Sequence, residues 1–267
     1  MPSSPATALD WHLLQRVSRS FYLTLRLLPG AVREPIALAY LLARLSDTEA
    51  DGAATEAERE LLARRDELLL WLDQSPDRAA IQHVWQTIRE GQRFDTERFA
   101  ASDAPPLSDE ELDRYTYLVA GCVGEFWTRL CAEKIPRFAN RPISEMLDLG
   151  IRFGKGLQLV NILRDRAADS RLGRTYLPPE RIPATLALAR RHLDAAETYT
   201  RALTVPRLRA SCALPYLMGR ETLDLVEADP AAPRLKISRS RVWWLLLRAL
   251  FLQSRSRPHH VSALKEG

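Results

Sequence analysis

The sequence predicts an all-α protein, a single helical bundle around a central cavity, and three observations support this prediction. Hydrophobic residues make up 46% of the 267 residues, enough to bury one sizeable core. The chain has only 11 glycines, and its apolar residues recur at helical spacing without convincing alternating strands. Two apolar stretches also carry a stripe of polar side chains, which indicates helices that face a cavity. We treat residues 1–267 as one domain and residues 255–267 as a frayed tail.

In the first half of the chain, prolines and charge patterns mark the expected helices. The first is predicted over Leu9–Leu28, up to the proline that follows. The second is predicted to begin near Pro35, because the first turn of a helix tolerates proline. Amphipathic patterns with ordinary charged faces predict helices over Thr55–Asp73 and Asp77–Glu90. Gly91–Pro106 is the first break in the pattern, but no change of composition follows it, so we place no domain boundary there.

The second half begins with a capping box and is organised around a long central helix. Glycine costs about 1 kcal/mol in a helix interior, so the central glycines Gly150, Gly154 and Gly156 predict close packing or a kink. We expect Arg174 and Tyr176, just beyond this helix, to fold back over the metal site that is predicted below. The expected helices run from the capping box at Ser108–Glu111 to Cys131, from near Ser144 to near Gly173, over Ala184–Leu203 and over Pro206–Glu227.

The stretch from Leu157 to Pro178 carries the more pronounced polar stripe. Its apolar residues cluster as in a buried helix, and its polar residues follow at intervals of three, four and four positions. On a helix these side chains share one face. The surrounding turns are apolar, so we expect the stripe to face a cavity, with its two carboxylates about 5–6 Å apart. The stripe consists of Gln158, Asn161, Asp165 and Asp169.

A second helix, between Ala39 and Asp51, repeats the pattern at intervals of four, three and four positions. Glu49 lies between the two aspartates in sequence but about 160–200° away from them around an ideal helix. We therefore expect Glu49 to be a solvent-facing or salt-bridged residue rather than a ligand. The second stripe consists of Tyr40, Arg44, Asp47 and Asp51.

The two aspartate pairs predict a metal and diphosphate site. Carboxylates that approach one another repel and raise each other's pKa unless cations lie between them. Oxygen ligands without His or Cys favour Mg²⁺, and the neighbouring Arg44 and Arg164 suit a diphosphate held through bridging Mg²⁺. A single pair at this spacing is more often part of a salt-bridged surface helix. Its duplication within two apolar runs favours the metal site instead.

At four places the sequence resembles the squalene/phytoene synthase family, the head-to-head prenyl synthases. The segments occur in the family's order and spacing and together cover nearly the whole chain. The resemblance implies an isoprenoid-synthase-type helical bundle as the fold. The matching segments are SRSF (Ser18–Phe21), AYLLARLSDTEAD (Ala39–Asp51), YTYLVAGCVG (Tyr115–Gly124) and LQLVNILRDRAADSRLGRTYLP (Leu157–Pro178).

The resemblance also implies a role for each matched residue. Without it, Tyr115 would be interpreted as a core tyrosine and Arg19 as a surface charge. With it, the Mg²⁺ ligands are Asp47, Asp51, Asp165 and Asp169. The substrate-binding residues are Arg19, Ser20, Phe21, Arg44, Gln158, Asn161, Arg164 and Arg174, with the arginines on the diphosphate. The catalytic residues are Tyr115, which lies beside the reacting carbocation, and Tyr40, Asp47 and Asp165.

The activity that the resemblance implies is the Mg²⁺-dependent head-to-head condensation of two prenyl diphosphates through a cyclopropyl diphosphate. The short chain favours farnesyl diphosphate and a C30 hydrocarbon, a hopanoid or carotenoid precursor, with squalene preferred. NADPH is then required. Dehydrosqualene and phytoene, made without reduction, are alternatives. Two other classes stay open: a non-catalytic prenyl or lipid carrier, and a head-to-tail synthase or terpene cyclase, which would lack the SRSF and YTYLVAGCVG segments.

Charge and cysteine content limit the partners and the compartment. The net charge is +4 and the pI about 9.1, but the arginines are dispersed and no nucleic-acid motif is present. An anionic substrate or membrane surface explains the charge equally well. The cysteines Cys122, Cys131 and Cys212 match neither a disulfide framework nor a metal site, so we expect reduced core thiols in a cytosolic protein. The first residues lack the features of a secretory signal.

The apolar run Val242–Leu252 is too short to span a bilayer. Its first interpretation is a buried terminal helix. Its second is a helix that rests on the membrane through Trp243 and Trp244, with arginines facing the headgroups. We expect a cytoplasmic protein, and the second interpretation adds peripheral contact with the inner face of the membrane.

Overall fold

The structure is a computed structural model that describes residues 10–18, 21–52, 55–101, 104–229 and 237–251. Within these ranges the chain is helical and contains no β-strand, which confirms the all-α prediction. A π-helical turn and a 3₁₀ turn interrupt the series, at Tyr117–Gly121 and Pro179–Arg181. The α-helices are α1 Trp11–Ser18, α2 Phe21–Leu27, α3 Gly30–Asp51, α4 Glu56–Ala63, α5 Arg65–Gln74, α6 Arg78–Arg98, α7 Asp109–Thr116, α8 Cys122–Lys134, α9 Ile143–Arg171, α10 Ile182–Ala202, α11 Pro206–Ala228 and α12 Arg239–Phe251.

The long helix α9 lies at the centre and packs against α8, α10, α11 and the π-helical turn. Glycine makes this packing possible. A methyl group on Gly124 would lie 1.9 Å from the carbonyl oxygen of Gly150, and one on Gly154 would lie 2.0 Å from the carbonyl oxygen of Ala120. The helix backbones therefore touch, as the predicted role of the central glycines requires. The α-helix opens into π geometry at this contact, a feature often found at functional sites.

The end of α9 directs the chain back towards the bundle. Gly173 has a φ of +77°, the left-handed conformation that glycine adopts without strain. The Arg174 N–H donates to the carbonyl of Asp169 at 2.9 Å, and the Gly173 N–H donates to that of Ser170 at 3.1 Å. These two bonds form a Schellman motif. The predicted helix end is confirmed, and the motif fixes where Arg174 leaves the helix.

Several predicted boundaries in the first half were wrong. The helix α3 begins at Gly30, before Pro35, because the carbonyl of Pro29 already accepts the N–H groups of Val32 and Arg33. The predicted break at Gly91 does not exist, since α6 continues to Arg98.

One predicted helix, Thr55–Asp73, is divided into α4 and α5, which meet at Arg64. The first predicted helix contains α1 and α2, and residues 19–20 lie outside the described ranges. The capping box at Ser108 and Glu111 is present as predicted, and Thr55 and Glu58 form another.

The last described helix, α12, is buried on one side only. Leu245 and Ala249 are fully buried in the packing against α11, whereas Trp243, Trp244 and Leu247 are 60%, 47% and 52% exposed. The buried face agrees with the predicted terminal core helix, and membrane contact through Trp243 and Trp244 stays a prediction. None of the described helices combines the length and apolar character needed to cross a membrane. The predicted frayed tail, residues 255–267, lies outside the described part of the chain.

Candidate active site

A cavity of about 370 Å³ lies between α3, α6, α8 and α9 and is bordered by the segment that follows α9. We call it the polar cavity, because acidic, amide, guanidinium and phenol groups line one part of its wall. Apolar side chains from α3, α6 and α8 line the rest. The polar and aromatic groups come from Phe21, Tyr40, Asp47, Gln92, Asp95, Thr96, Tyr115, Phe126, Trp127, Gln158, Arg174 and Tyr176.

A second cavity, of about 180 Å³, adjoins the first and is lined mainly by apolar groups. We call it the apolar cavity. The closely packed glycines of α8 and α9 form part of its wall, together with Phe153 and Leu157. Its polar lining side chains are those of Thr24, Tyr199, Ser211 and Cys212, with the indole of Trp127. The two cavities share the lining residues Phe21, Val119, Val123 and Trp127.

Six of the sequence-predicted site residues line the polar cavity: Phe21, Tyr40, Asp47, Tyr115, Gln158 and Arg174. The ring of Tyr40 lies 4.9 Å from that of Phe21, and its hydroxyl donates to the carbonyl of Val17 at 3.2 Å. Asp47 Oδ1 accepts a hydrogen bond from Gln92 Nε2 at 2.5 Å. Tyr40 therefore fixes the start of α2 against α3, while Asp47 directs a carboxylate into the cavity.

Other predicted residues lie near the cavity but not in its lining, as far as the described residues define it. Arg44 pairs with Glu58 and lies 3.9 Å from Asp47. Arg164 holds Asp165 in a two-pronged ion pair with an Nε–Oδ1 distance of 2.8 Å. These arginines are already engaged with carboxylates of their own or neighbouring helices.

The remaining predicted residues are Asn161, Glu49, Arg19, Ser20 and Asp51. Asn161 Nδ2 donates to Gln158 Oε1 at 3.4 Å. Glu49 pairs with Arg65 at 3.0 Å, which confirms its predicted salt-bridge role. Arg19, Ser20 and the side chain of Asp51 lie outside the described residues.

Asp169 is half-buried among charged side chains of both signs. Burial, followed by the charge of Asp165, raises the pKa of its carboxyl to about 6, although Arg174 acts in the opposite direction and Asp95 adds to the increase. Arg164 also acts in the opposite direction, so two carboxylates and two guanidinium groups influence this carboxyl. Such hard oxygen donors, without His or Cys among them, fit Mg²⁺. No group of three or more potential metal-ligating side chains is assembled within the described part of the chain.

A hydrogen-bonded network joins α6, α7 and the segment after α9. Asp95 accepts a hydrogen bond from the Tyr176 hydroxyl at 2.7 Å and lies 3.3 Å from Arg174 Nε. The Tyr176 ring stacks on Tyr115, with 5.4 Å between centroids. Burial raises the pKa of both phenols, and the negative charge of Asp95 adds to the increase. Both hydroxyls therefore stay protonated.

Sequence reasoning missed Gln92 and Asp95, because it ended α6 at Glu90 and assigned this helix no chemistry. A signal was present. The buried face of α6 comprises Ile81, Val84, Ile88, Gly91 and Asp95, at intervals of three, four, three and four. Extending that period by one turn places Asp95 on the buried face. A charged residue at a core position indicates a functional or paired group.

Comparisons with known proteins identify the family and the fold that the chain shares. The family model for squalene/phytoene synthase matches residues 14–185 and 180–242. A 15-cis-phytoene synthase from Paracoccus sp. is 30% identical over 266 residues, covering 84% of this chain and 83% of that protein. A bifunctional lycopene cyclase/phytoene synthase from Phaeosphaeria nodorum is 28% identical and covers 62% of this chain. The chain spans about a third, 33%, of the length of that bifunctional relative.

Solved structures share the fold. TcSQS in complex with the ligand BPH1237 has a TM-score of 0.78 at 21% identity, covering 90% of this chain and 85% of that one. A dehydrosqualene synthase in complex with a ligand has a TM-score of 0.63 at 24% identity, covering 91% and 95%.

Proposed function

Because this chain belongs to the squalene/phytoene synthase family, we propose that it catalyses the head-to-head condensation of two prenyl diphosphates. One observation carries the proposal. A cavity with carboxylate and guanidinium groups in its wall adjoins an apolar cavity, and the two share lining residues. A prenyl diphosphate has the same division, with a highly charged end and a long hydrocarbon chain.

The charged end of the substrate requires compensation, and proteins of this family typically depend on a divalent metal. Bound Mg²⁺ would polarise the diphosphate and stabilise its negative charge as it departs. In our proposal the carboxylates that hold it are Asp47, Asp51, Asp165 and Asp169. The neighbouring carboxylates Asp165 and Asp95 both raise the pKa of Asp169, which supports this assignment, since a cation between carboxylates relieves their repulsion.

Arginines contribute positive charge that does not depend on the metal. Arg174 lines the polar cavity, and Arg44 and Arg164 lie beside the proposed carboxylate ligands. A guanidinium binds two phosphate oxygens at once, which fixes both position and orientation. We assign these three residues, with Arg19, Ser20 and Phe21 of the SRSF segment, to substrate binding, and Gln158 and Asn161 to the wall beside the substrate.

The carbocation left by diphosphate departure needs a dry environment without a strong base. Val119, Val123 and Trp127 line both cavities, and aromatic faces stabilise cations. Tyr115 and Tyr176 keep their protons because burial raises the pKa of each phenol. They therefore present ring faces and hydroxyl dipoles rather than phenolate bases. We assign Tyr115 and Tyr40 to this aromatic wall.

The finer assignment is farnesyl diphosphate as substrate and a C30 hydrocarbon as product. We favour squalene, the reduced product, whose formation requires NADPH. The experiment is analysis of pentane extracts by gas chromatography after incubation with Mg²⁺ and farnesyl or geranylgeranyl diphosphate, with and without NADPH. A C30 product supports the assignment, and a preferred C40 product contradicts the chain length. A C30 product with a central double bond, formed equally well without NADPH, replaces squalene by dehydrosqualene. Binding without diphosphate release indicates a carrier.

The exposed face of α12 is assigned to peripheral contact with an anionic membrane. Arg241 lies 4.2 Å and Arg248 5.6 Å from the ring of Trp244. Aromatic rings flanked by arginines suit the boundary between headgroups and acyl chains. The test is co-sedimentation with vesicles of phosphatidylcholine and phosphatidylglycerol. Binding should fall when Trp243 and Trp244 are changed to serine and persist in Leu70→Ser, which removes an exposed leucine elsewhere. Equal binding by both variants would contradict the assignment.

A further inference from the structure

Asp95 is a buried carboxylate to which the proposed chemistry gives no role. It lies on α6 in the wall of the polar cavity, and only 7% of its surface is exposed. Burying a carboxylate costs free energy unless hydrogen bonds and an opposite charge compensate it. The partners of Asp95 therefore indicate its role.

Both identified partners come from the segment that follows α9. Oδ1 accepts the hydroxyl hydrogen of Tyr176 at 2.7 Å, and Oδ2 lies 3.3 Å from Arg174 Nε. One carboxylate on α6 thus holds two side chains of a segment about 80 residues further along the chain. The Schellman motif fixes the beginning of this segment, and the Tyr176 carbonyl accepts the Leu107 N–H at 3.2 Å. Neither bond orients the side chains of Arg174 and Tyr176.

The contact with Asp95 extends to the aromatic wall. The rings of Tyr176 and Tyr115 stack at an interplanar angle of 19°, and their hydroxyl oxygens are 3.4 Å apart. Phe99 packs its edge against Tyr176, with 5.1 Å between centroids. Tyr176 is therefore held by a hydrogen bond at one end and by ring contacts on two sides. A change at Asp95 would reach Tyr115 through Tyr176.

These contacts distinguish Asp95 from the other acidic residues of the site. The two oxygens of Asp95 pair with Tyr176 and Arg174, in a segment distant along the chain, whereas those of Asp165 pair with Arg164, the residue next to it. We propose that Asp95 is a positioning residue, which fixes Arg174 towards the diphosphate end of the polar cavity and Tyr176 against Tyr115. This role rests on the proposed function and deepens it.

The experiment measures kcat and KM for Mg²⁺-dependent diphosphate release from farnesyl diphosphate by the full-length chain. Asp95→Ala removes both contacts, and Asp95→Asn keeps an oxygen acceptor for Tyr176 but removes the charge opposite Arg174. The matched control is Asp77→Asn at the other end of α6, where a carboxylate with an 8% exposed side chain pairs with Lys134 at 2.7 Å. Melting temperature and circular dichroism are recorded for every variant.

We expect Asp95→Ala to lower kcat/KM by about tenfold or more, with Asp95→Asn intermediate and Asp77→Asn within about twofold of wild type. A residue that acts through others loses its effect when those others are changed. In the Tyr176→Phe/Arg174→Lys background, Asp95→Ala should therefore cost less than about twofold. If Asp95→Ala does not fold, Asp95→Asn takes its place in the same cycle.

The outcomes separate this inference from the proposed function. A wild-type chain that releases no diphosphate overturns both. An active wild type in which Asp95→Ala or its substitute behaves like Asp77→Asn overturns the role of Asp95 alone. An effect of the same size in the double-variant background also overturns it, because Asp95 would then act directly rather than through Tyr176 and Arg174.

Discussion

The polar and apolar cavities differ in chemistry although they share part of their walls. The polar cavity carries carboxylates and a guanidinium on α3, α6 and the segment after α9. The apolar cavity is formed where the glycines of α8 and α9 bring their backbones together, and the few polar groups in its lining are hydroxyls, a thiol and an indole N–H. Under the proposed function, the polar cavity binds the charged diphosphate and the apolar cavity binds the hydrocarbon chain. Changes in the first should therefore affect turnover, and changes in the second should affect stability or chain length.

The largest effect is expected from removing a proposed metal ligand. Asp47→Asn and Asp165→Asn should each reduce turnover at saturating Mg²⁺ to below about a tenth of wild type, because the amide cannot supply a charged ligand. Diphosphate release is the measurement, and the circular dichroism of the helices should stay unchanged. EDTA should abolish activity and Mg²⁺ restore it.

The matched control for these variants is Glu49→Gln, on the same helix as Asp47. Glu49 pairs with Arg65 at the surface, so its loss should leave kcat and KM unchanged. Activity above about a tenth of wild type in either aspartate variant would contradict the metal assignment. A large loss in Glu49→Gln would instead show that charge changes anywhere on α3 impair the enzyme.

A smaller effect is expected from changing the geometry of the positive charges. Lysine keeps the charge of arginine but loses its two-pronged fork. Arg164→Lys should therefore reduce transition-state stabilisation by roughly 1–3 kcal/mol, measured from kcat/KM. Unchanged kcat and KM in Arg44→Lys, Arg164→Lys and Arg174→Lys alike would remove all three arginines from the diphosphate site.

At the apolar cavity, the helix contact should determine stability. Gly124→Ala places a methyl group 1.9 Å from the carbonyl oxygen of Gly150, so α8 and α9 must move apart. Overpacking of this kind costs about 1–3 kcal/mol, measured as the free energy of unfolding in urea. Gly30→Ala is the control, because no atom lies within 4 Å of its added methyl group. Equal stability of the two variants would disprove the backbone contact.

The smallest effect is expected on chain-length preference. Leu157 lines the apolar cavity, and Leu157→Phe should reduce its volume. The ratio of kcat/KM for geranylgeranyl over farnesyl diphosphate should fall by a factor corresponding to about 1 kcal/mol, as for other hydrophobic pockets. The exposed Leu225→Phe should leave the ratio unchanged. An unaltered ratio in Leu157→Phe would place the hydrocarbon elsewhere.

Much of the fold could be predicted from the sequence because its signals are local. The helical period, the capping box at Ser108 and the left-handed glycine at Gly173 each depend on a few neighbouring residues. The family assignment is likewise confirmed, because whole segments carried it. Two boundary errors arose at residues that usually interrupt helices. Near Pro35, hydrogen bonds to the carbonyl of Pro29 start the helix earlier, and at Gly91 packing allows the helix to continue.

The site was less predictable because it depends on contacts between distant residues. The aspartate stripes could be found from spacing, but spacing did not reveal that Arg164 pairs with Asp165 and Arg44 with Glu58. The hydrogen bond between Tyr176 and Asp95 joins residues 81 positions apart. No local pattern encodes such a pair. The roles of the predicted site residues stay predictions.

The most direct test of the division between the two cavities is a crystal structure with Mn²⁺ in place of Mg²⁺ and the unreactive analogue farnesyl thiodiphosphate. We predict anomalous density for Mn²⁺ between the diphosphate and the carboxylates of Asp47 and Asp165. We also predict Arg174 on the diphosphate and the farnesyl chain directed towards Phe153 and Leu157 in the apolar cavity. Diphosphate bound away from these aspartates, or a farnesyl chain outside the apolar cavity, would contradict this division between the cavities.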